Sequence, residues 1–508
     1  MSAIDQTRIE VIATVGPACS DPAMLVRLIE AGAGVLRLNM SHGDLTSHLS
    51  TLAAIREAER TTGIPVAVMA DLPGPKIRLA RASTLDVPTG ADVRFFEIGD
   101  GDDPGYAAIE ASSGRPDGPI ELGIDARGVI EALRVGHRIL LDDGDVRLLV
   151  TEEEHLDGRR TVRGSVTSGG TLRPRVGVNL PDSDPDLPAV TARDLEFARA
   201  MHAAGVDLVA VSFCRDGDDL RRLRDVLRDA APDRDPPWLV SKVERPQAIV
   251  NLEDVVQASD AVLVARGDLG VEMDIAEVPV VQKRIVAASI AAGRPVVVAT
   301  QMLQSMIDAP GPTRAEATDV ANAVLDGADA LMLSGETAIG RHPVLAVETL
   351  RRIARATERW RDERPTTDAA AAAHVTSDDP WLPALARGVH RIARELPIRA
   401  IVAWSGSGHT ARILSREDLR VPLLVVTDDV VVARRMRLLR GVRPIVVCSP
   451  EDLAGDRDAF LGVAREVVES SAIEAAGDAC LFVHGSGRDA TAPTDAIGIF
   501  RIDRERRS

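Results

Sequence analysis

A lysine and two carboxylates near the middle of the chain have types and spacing suited to chemistry on an anionic substrate. Lys242 and Glu244 are two residues apart in a strand-length apolar run, so both point to the same side of a strand. Asp268 follows the next such run, and its carboxylate can converge with that of Glu244 on one ion. Two carboxylates that leave room for water and substrate suit Mg²⁺ or Mn²⁺, and a neighbouring lysine fits stabilisation of a phosphoryl group or an enolate. The alternative is two ordinary surface carboxylates, with Lys242 a structural partner of Glu244.

Lysine is rare in this chain. Only Lys76, Lys242 and Lys283 occur among the 60 basic residues. Because arginine is used wherever either base would serve, a retained lysine can mark a position that needs a compact ammonium. Chance retention is about as good an explanation for any one of them, so the count alone assigns no role.

Eight strand-length apolar runs supply the scaffold that these residues need. Most are continuously apolar and β-branched, and helical patterns separate most of them, as expected for parallel strands buried on both faces. Eight such units predict an α/β fold, a (β/α)8 TIM barrel, whose active site lies at the C-terminal ends of the strands. The runs are residues 10–14, 34–38, 65–70, 207–211, 238–243, 260–265, 295–300 and 329–333.

The residues that end or follow these runs form the predicted rim. Arg37 and Arg78 can make bidentate contacts to phosphate there, or else simple salt bridges. A rim with several arginines, two lysines and a few carboxylates suits a phosphorylated substrate with a divalent metal. The residue pattern alone predicts a metal-dependent barrel enzyme that acts on a phosphate or a carboxylate, and nothing more specific.

Two further segments depart from the barrel pattern. Residues 78–180 are rich in Gly, Asp and Thr with short alternating runs, which predicts a small all-β lid domain inserted in a βα loop. The barrel is thus expected in two parts, 1–77 and 181–363. Residues 364–380 are typical of a linker, and 381–508 predict a C-terminal α/β regulatory domain. Its predicted strands are residues 399–404, 422–427, 444–448 and 479–484.

Composition excludes several classes of protein. A formal charge of −17 argues against a nucleic acid or an anionic membrane as partner. No apolar run approaches the roughly 18 residues of a membrane helix, and the N-terminus lacks the pattern of a secretory signal. The four cysteines are widely spaced and form no C-x-x-C pair, which argues against a disulfide framework or zinc site and favours the cytoplasm.

The segments that carry these residues resemble the pyruvate kinase family. The resemblance covers the barrel, is weaker in the insertion and the C-terminal domain, and is most specific over residues 299–337. It implies transfer of the phosphoryl group of phosphoenolpyruvate to ADP, giving pyruvate and ATP, by a homotetramer. The similar segments are TRIEVIATVGPACS, GVLRLNMSHG, ADLPGPKIR, GVNLPDSDPDLPAVTARD, SKVERPQAIVNLEDVVQASDAVLVARGDLGVE and ATQMLQSMIDAPGPTRAEATDVANAVLDGADALMLSGET.

The resemblance implies roles at the matching positions. Arg37 would hold the phosphoryl group, and Lys242 would neutralise charge as that group leaves and the enolate forms. Glu244 and Asp268 would hold the divalent metal.

The resemblance also covers the rest of the substrates. The amides around Gly267 and Asp268, with Thr300, would hold the pyruvate end, and protonation of the enolate carbon is placed near Thr300 and Ser334. The nucleotide and phosphate positions are Asn39, Ser41, His42, Arg78 and Asp143, the last in the Asp142-Asp143-Gly144 turn of the insertion.

The segment around Lys76 indicates that K⁺ is not required. Potassium-dependent members carry an acidic residue at Lys76 and a threonine at Leu72, whereas the potassium-independent branch resembles DLxGPKIR, and this chain reads DLPGPKIR. The Lys76 ammonium would then supply the positive charge that K⁺ brings. Asn39, Ser41 and Asp71 would remain as a vestigial monovalent-cation site.

Two family lysines are replaced in this chain. Val176 stands where a lid lysine is expected, with Arg173 or Arg175 as candidates to substitute for it, and Ile339 replaces a lysine after GET. These changes leave the nucleotide affinity open.

The C-terminal domain contains a loop similar to the family's effector-phosphate loop. Ser405, Ser407, Gly408 and Thr410 belong to it, and its backbone amides can cradle phosphate. An ordinary turn is an equally good interpretation. The later loop, residues 484–495, is short and poorly matched, so a phosphorylated small-molecule effector is expected to be a nucleoside or sugar monophosphate rather than a sugar bisphosphate.

The sequence is compatible with two alternatives to an active pyruvate kinase. A lyase or aldolase barrel would also use a metal bound by Glu and Asp to stabilise a pyruvate enolate. It would not need the inserted lid or Lys242, and it would not depend on ADP. A non-catalytic regulatory relative would show no turnover, and only the changes at Val176 and Ile339 favour it.

Overall fold

The computed structural model describes most of the 508-residue chain. The predicted linker, 364–380, lies outside the described residues except for Pro380, and so does most of the loop 484–495. The described residues are 7–80, 83–98, 118–156, 158–363, 380–447, 457–470, 479–485 and 494–501.

The chain begins with the first three strands of a barrel and two helices. Asp21 caps the first helix by accepting the amides of Ala23 and Met24, and Gly32 ends it in a left-handed conformation. The elements are β1 Glu10–Val15, α1 Pro22–Ala31, β2 Ala33–Asn39, α2 Leu45–Thr62 and β3 Ala67–Asp71.

The predicted insertion follows β3 and folds around a core of its own. A six-stranded sheet has the order β11-β7-β8-β9-β5-β6, and β4 pairs with β10. One short helix makes the insertion not purely β. The elements are β4 Leu85–Val87, β5 Asp92–Glu97, β6 Ile120–Ile124, α3 Val129–Ala132, β7 Arg138–Leu141, β8 Val146–Leu156, β9 Arg159–Ser168, β10 Gly170–Leu172 and β11 Val178–Asn179.

The barrel then resumes with five more strands. A 3₁₀ turn over Gln304–Ile307 follows the fourth of these strands. The elements are α4 Ala192–Ala203, β12 Leu208–Val211, α5 Gly217–Ala230, β13 Trp238–Val243, α6 Pro246–Val250, α7 Leu252–Ala258, β14 Ala261–Ala265, α8 Arg266–Glu272, α9 Val278–Ala291, β15 Val296–Ala299, α10 Arg314–Asp326, β16 Ala330–Leu333, α11 Gly335–Ala338 and α12 Pro343–Asp362.

The eight parallel strands close into a barrel in the order β1-β16-β15-β14-β13-β12-β3-β2. Side chains such as Ile12, Met69 and Leu263 fill its interior, and a second apolar layer lies between strands and helices. All eight predicted runs are strands of this barrel, which confirms the predicted fold class. The C-terminal strand ends therefore meet at one mouth, where the candidate residues lie.

The C-terminal domain is a five-stranded α/β sheet in the order β19-β18-β17-β20-β21. The last strand is antiparallel and was not predicted from the sequence. The elements are α13 Trp381–Glu395, β17 Ile398–Trp404, α14 His409–Arg416, β18 Leu423–Thr427, α15 Val430–Met436, β19 Val442–Val446, α16 Arg457–Ser470, β20 Ala479–Gly485 and β21 Thr494–Arg501. Within the described ranges, no helix combines the length and apolarity needed to cross a membrane.

Candidate active site

Lys242 lies at the centre of the barrel mouth, near the end of β13. Its ammonium nitrogen is 2.7 Å from Glu244 Oε1 and 3.3 Å from Asp71 Oδ1, and it donates to Ser212 Oγ at 2.7 Å. Only 9% of the residue is exposed. The two-residue spacing on one strand thus brings Lys242 and Glu244 together, as the sequence predicted.

Asp71, the last residue of β3, joins the lysine to Arg37 on β2. Its Oδ2 accepts from Arg37 Nε at 2.7 Å and lies 2.6 Å from Arg37 Nη2. Arg37 Nη1 also donates to Thr14 Oγ1 at 3.0 Å. Parallel pairing of β2 with β3 places these side chains side by side. Of the five guanidinium N–H groups, two remain for a substrate.

Burial and charge oppose each other in this cluster. Burial lowers the pKa of Lys242, but the carboxylates of Asp71, Glu244 and Asp268 outweigh it, and the net shift is upward. Burial raises the pKa of Asp71, but Lys242 and Arg37 lower it by more. The net shift is downward, so the carboxylate stays ionised. The site therefore holds a permanently charged ammonium and guanidinium on one shared carboxylate.

Glu244 and Asp268 follow the neighbouring strands β13 and β14. Burial raises the pKa of each carboxyl, and Asp268 adds to the effect on Glu244. Glu244 accepts the Phe213 amide at 2.7 Å in addition to Lys242. No donor among the described residues bonds the Asp268 carboxylate. A buried carboxylate beside a partly buried one that no described group bonds fits a divalent cation.

The pair does not form a complete metal cage. No group of three or more His, Cys, Asp or Glu suited to a metal occurs among the residues that the structure describes. Two protein oxygens with other positions left for water and substrate are the arrangement that Mg²⁺ commonly uses.

Thr300 follows β15 in a left-handed conformation, φ 70°, next to Gln301 at φ 55°. Its hydroxyl accepts the Gly267 amide at 2.7 Å. Arg266 holds this bend by donating to the Ala299 and Thr300 carbonyls and pairing with Asp319. Backbone strain at non-glycine residues clusters at functional sites, and Phe213 (φ 55°), beside Glu244, is a second instance in this mouth.

Ser334 follows β16, and its amide donates to Glu336 Oε2 at 2.7 Å. The buried Glu336 also accepts the Leu303 amide at 3.0 Å, so one carboxylate joins the loops after β15 and β16. Sequence reasoning placed Glu336 on the rim without a role and missed Ser212, Phe213 and Arg266 as supports. Their position just after barrel strands was the available signal.

Lys76 lies at the mouth with its side chain exposed and, among the described residues, no ion-pair partner. Partial burial, Lys242 and Arg78 lower its pKa, while Asp268 and Glu244 act in the opposite direction. Its ammonium is therefore close to the carboxylate pair. Leu72 is buried. The structure brings Asn39 close to Ser41, whose amide donates to Asn39 Oδ1 at 3.1 Å.

The inserted domain faces the same mouth. The turn at Asp142 and Asp143 is left-handed, φ 52° and 56°, and the charge of Asp143 raises the pKa of Asp268. Asn179 donates to Glu272 of α8 at 2.8 Å, which ties the insertion to the barrel. The Asp143 carboxylate is thus near the metal-binding candidates.

The other predicted nucleotide residues are spread around this entrance. Arg78 donates to the Arg175 carbonyl at 2.9 Å, and the His42 side chain is exposed, while its carbonyl accepts from His48 at 2.8 Å. Of the two arginines considered for the missing lysine, Arg173 pairs with Asp142 at 2.8 Å.

Arg175 and the two positions that lack the family lysines lie elsewhere. Arg175 pairs with Asp125 at 3.0 Å, away from that turn. Val176 is buried in the core of the insertion, and Ile339 is 64% exposed. Because Arg173 is paired at the lid turn and Arg175 is not, Arg173 is the better placed of the two arginines to substitute for the missing lysine.

The loop before α14 contains the predicted effector residues. Ser405 is buried, and its amide donates to the Val426 carbonyl at 3.0 Å. Gly408 has a left-handed conformation, φ 80°. Ser407 is exposed and its hydroxyl accepts the His409 amide at 3.4 Å. The Thr410 hydroxyl is 2.7 Å from that of Thr494. The loop has accessible polar groups, but Thr410 is already bonded.

Family models match both large parts of the chain. The model described as "Pyruvate kinase, barrel domain" matches residues 6–347, and "Pyruvate kinase, alpha/beta domain" matches residues 383–500. Proteins named pyruvate kinase from Methylorubrum extorquens and Mycobacterium tuberculosis are 37% and 38% identical, over 98% and 97% of this chain and 98% of each relative. The crystal structure of a pyruvate kinase from Cryptosporidium parvum aligns with a TM-score of 0.85 at 28% identity, covering 98% of this chain and 96% of that one.

Proposed function

The chain belongs to the pyruvate kinase family and is a phosphotransferase that transfers the phosphoryl group of phosphoenolpyruvate to ADP, and we propose that Lys242, Glu244, Asp268 and Arg37 form its catalytic centre. The observation that carries the proposal is the buried ammonium of Lys242, held between Glu244 and Asp71 at the barrel mouth. Phosphoryl transfer is mostly positioning and charge neutralisation, which fixed cations in a buried site provide.

The proposed division of labour follows from the contacts. Arg37 binds the phosphoryl group with the two N–H groups not given to Asp71 and Thr14. Lys242 neutralises the charge on the transferring group and on the enolate oxygen left behind. Asp71 fixes both cations and keeps their geometry while the charge moves.

Glu244 and Asp268 are proposed to hold a divalent cation, Mg²⁺ or Mn²⁺. The family generally uses a divalent metal, and the raised pKa values of these two carboxyls fit a shared cation. When bound, such an ion neutralises charge on substrate oxygens.

Thr300, Gly267 and Ser334 are proposed to act at the pyruvate end. The Gly267 amide is bonded to the Thr300 hydroxyl, so a substrate carboxylate would take over that donor and release the hydroxyl. Thr300 and Ser334 would then position the proton that reaches the enolate carbon.

A turnover assay tests the centre directly. Pyruvate formation from phosphoenolpyruvate is followed with ADP and Mg²⁺ in K⁺-free buffer. We expect the wild type to need ADP and Mg²⁺, and Lys242→Met to lose at least about 10³-fold in kcat, because a fixed transition-state charge is removed. Lys283→Met, which removes a surface lysine paired with Asp326, is the matched control. Near-wild-type turnover in Lys242→Met would refute the assignment.

Independence from K⁺ is proposed from Lys76. Its ammonium is near Asp268 and Glu244 without an ion pair among the described residues, a place where a monovalent cation would otherwise be attracted. Asn39, Ser41 and Asp71 would then hold no cation, and Asp71 is bonded to Arg37 and Lys242 instead. Turnover should change little when K⁺ replaces tetramethylammonium at constant ionic strength. A large K⁺ stimulation of the wild type would contradict the proposal.

The nucleotide is proposed to bind between the barrel mouth and the inserted lid. Asn39, Ser41, His42 and Arg78 lie on the barrel side and Asp143 on the lid side, and Arg173 supplies a cation beside the lid turn. Arg173→Gln should raise the KM for ADP without changing that for phosphoenolpyruvate. An unchanged KM for ADP would exclude Arg173.

A phosphorylated small-molecule effector is proposed at Ser405, Ser407, Gly408 and Thr410. The left-handed Gly408 and the exposed Ser407 hydroxyl are compatible with phosphate binding. Activation titrations with nucleoside and sugar monophosphates test it, and the absence of any response would reject it.

Assembly as a homotetramer in the cytoplasm is also proposed. Val250, Ile275 and Val280 are 84%, 70% and 61% exposed on the barrel, and Trp381 is 81% exposed on the C-terminal domain. Apolar side chains exposed on two different domains fit two distinct self-association surfaces. Sedimentation equilibrium giving a monomer at micromolar concentration would reject the tetramer.

A further inference from the structure

A cluster of four arginines lies between the barrel and the C-terminal domain, at the opposite end of the barrel from the active site. Arg224 and Arg294 belong to the barrel, near the starts of β14 and β15. Arg412 and Arg416 are one turn apart on the same face of α14. The Arg416 guanidinium donates to the Arg294 carbonyl at 3.1 Å, which places the two pairs against each other.

Only two of the four guanidinium groups have a carboxylate partner. Arg224 pairs with Asp260 at 2.8 Å, and Arg416 pairs with both oxygens of Asp329. Each carboxylate has other donors as well: Asp260 accepts the Leu239 amide and Asp329 accepts the Val296 amide. The charge of Asp260 also acts on Arg294 and Arg412, but two carboxylates cannot neutralise four guanidinium groups.

Arg294 and Arg412 form no ion pair with any described residue. Arg294 donates to the Gln257 carbonyl at 3.0 Å, and Arg412 lies 3.1 Å from His409 Nδ1. The Nε atoms of both arginines are buried and without a hydrogen-bond partner. The four arginines therefore exceed their two carboxylates by two positive charges, in a partly buried position between two domains.

Neighbouring arginines act on the pKa values of both groups, and the charge of Asp260 opposes them. Burial first, then the charges of Arg294 and Arg416, lowers the pKa of Arg412 to about 10, against the opposing charge of Asp260. Burial lowers the pKa of Arg294, where the charge of Asp260 opposes the shift and that of Arg224 adds to it. Both groups stay protonated at neutral pH, so the excess charge is present under physiological conditions.

We propose that Arg294 and Arg412 form a binding site for a dianionic phosphate group, distinct from the active site and next to the loop 405–410, whose His409 contacts Arg412. A phosphate monoester carries about −1.5 to −2 charges at pH 7, which matches the two unpaired guanidinium groups. Arginine forks bind phosphate oxygens bidentately. A phosphate bound there bridges the barrel and α14 and adds a link between the two domains.

The site is tested by melting the full-length protein in chloride and in inorganic phosphate at equal ionic strength. We expect phosphate to raise the Tm of the wild type saturably. Arg412→Gln and Arg294→Gln should each raise the half-saturating phosphate concentration at least about tenfold, because each variant loses a charge-assisted contact. Arg221→Gln, which removes an exposed arginine paired with Asp254, is the matched control.

The chloride measurement separates a ligand site from a structural role. If Arg412 only stabilised the fold, its substitution would lower the Tm in chloride. An uncompensated cation predicts the opposite sign, a Tm in chloride equal to or above that of the wild type, because a repulsive charge is removed. A lowered Tm in chloride together with an unchanged phosphate response overturns the proposal.

Two further variants exclude the other phosphate sites. A response that vanishes in Lys242→Met or Ser407→Ala but persists in Arg412→Gln assigns the phosphate elsewhere and overturns the proposal. A changed oligomeric state of Arg412→Gln without any phosphate response shows that a carboxylate of a second copy is the partner, and also overturns it. Glycerol 3-phosphate in place of inorganic phosphate then distinguishes an ester ligand, which binds more tightly, from free phosphate.

Discussion

Asp71 is the residue on which the charges of the proposed active site depend. It accepts from Arg37 and Lys242, is almost fully buried, and has a pKa below its usual range despite burial. A buried carboxylate shared by two cations stabilises the fold only while all three members are present, because any one left alone is an uncompensated buried charge. Lys242, the lysine proposed to act on the substrate, therefore also contributes to the stability of the fold.

Asp71→Asn is expected to destabilise the protein by about 3–5 kcal/mol at pH 7, since Arg37 and Lys242 lose their shared carboxylate. The pKa of Asp71 is lower in the folded than in the unfolded state, so its contribution is complete above the unfolded value near 3.9 and declines as the pH falls through it. The difference in unfolding free energy between variant and wild type should thus be constant from pH 7 to 5.5 and shrink below about pH 4. Urea unfolding at several pH values measures this; a difference that grows on acidification would contradict it.

At the scale of the elements, short loops after the barrel strands hold residues of the proposed active site in strained conformations. Thr300 and Phe213 have positive φ angles; the partly buried Arg266 holds the first and the buried Glu244 holds the second. Glu336 likewise holds the loops that follow β15 and β16, since it accepts the amides of Leu303 and Ser334.

Glu336→Ala should lower kcat about 10- to 100-fold, because two buried amides lose their acceptor and the Thr300 and Ser334 loops shift. Glu336→Gln keeps one acceptor oxygen and should recover part of the loss. Steady-state kinetics of both variants beside the Tm test this. Equal activity of the two variants would argue against a positioning role.

The inserted domain is tied to the barrel by the Asn179–Glu272 hydrogen bond at 2.8 Å. Asn179→Ala should raise the KM for ADP about fivefold, as expected for a loss near 1 kcal/mol in lid closure, with kcat at saturating ADP little changed. Asn322→Ala, which removes an amide bonded to Asp326 far from the lid, is the control. A fall in kcat with an unchanged KM would show that the bond does not act through the lid.

At the scale of the whole molecule, the C-terminal domain packs against the N-terminal end of the barrel through arginine–carboxylate pairs. Arg416 pairs with Asp329, Arg434 with Glu59 and Arg437 with Glu10. Asp329 also accepts the Val296 amide at the start of β15. The helix after the proposed effector loop is thereby connected to the start of β15, the strand that precedes Thr300.

Arg416→Gln is expected to lower the free energy of unfolding by about 3–5 kcal/mol, because Asp329 is left buried without its cation; only 2% of the Arg416 side chain is exposed. Arg391→Gln, which breaks an exposed pair with Glu395, should change stability by less than about 1 kcal/mol. Calorimetry of both variants is the measurement. Equal melting temperatures would mean that the interdomain pairs contribute little.

The barrel and the order of the candidate residues along its mouth could be predicted from the sequence. Continuous apolar runs separated by helical patterns depend only on residues that are close together in the chain, so they can be read from the sequence. All eight predicted strands are in the closed barrel. The spacing of Lys242 and Glu244 on one strand predicted their contact for the same reason. The fifth strand of the C-terminal sheet was not predicted, although Thr494–Arg501 alternates in burial.

Contacts between residues distant in the chain could not be predicted and emerge only from the folded arrangement. Asp71 shared by Arg37 and Lys242, Glu336 joining two loops, and the unpaired Arg294 and Arg412 depend on strand order and domain packing, which no local pattern encodes. Charge compensation is a property of the neighbours in space. In a chain with 57 arginines the sequence shows the charges, and only the fold shows which of them are matched.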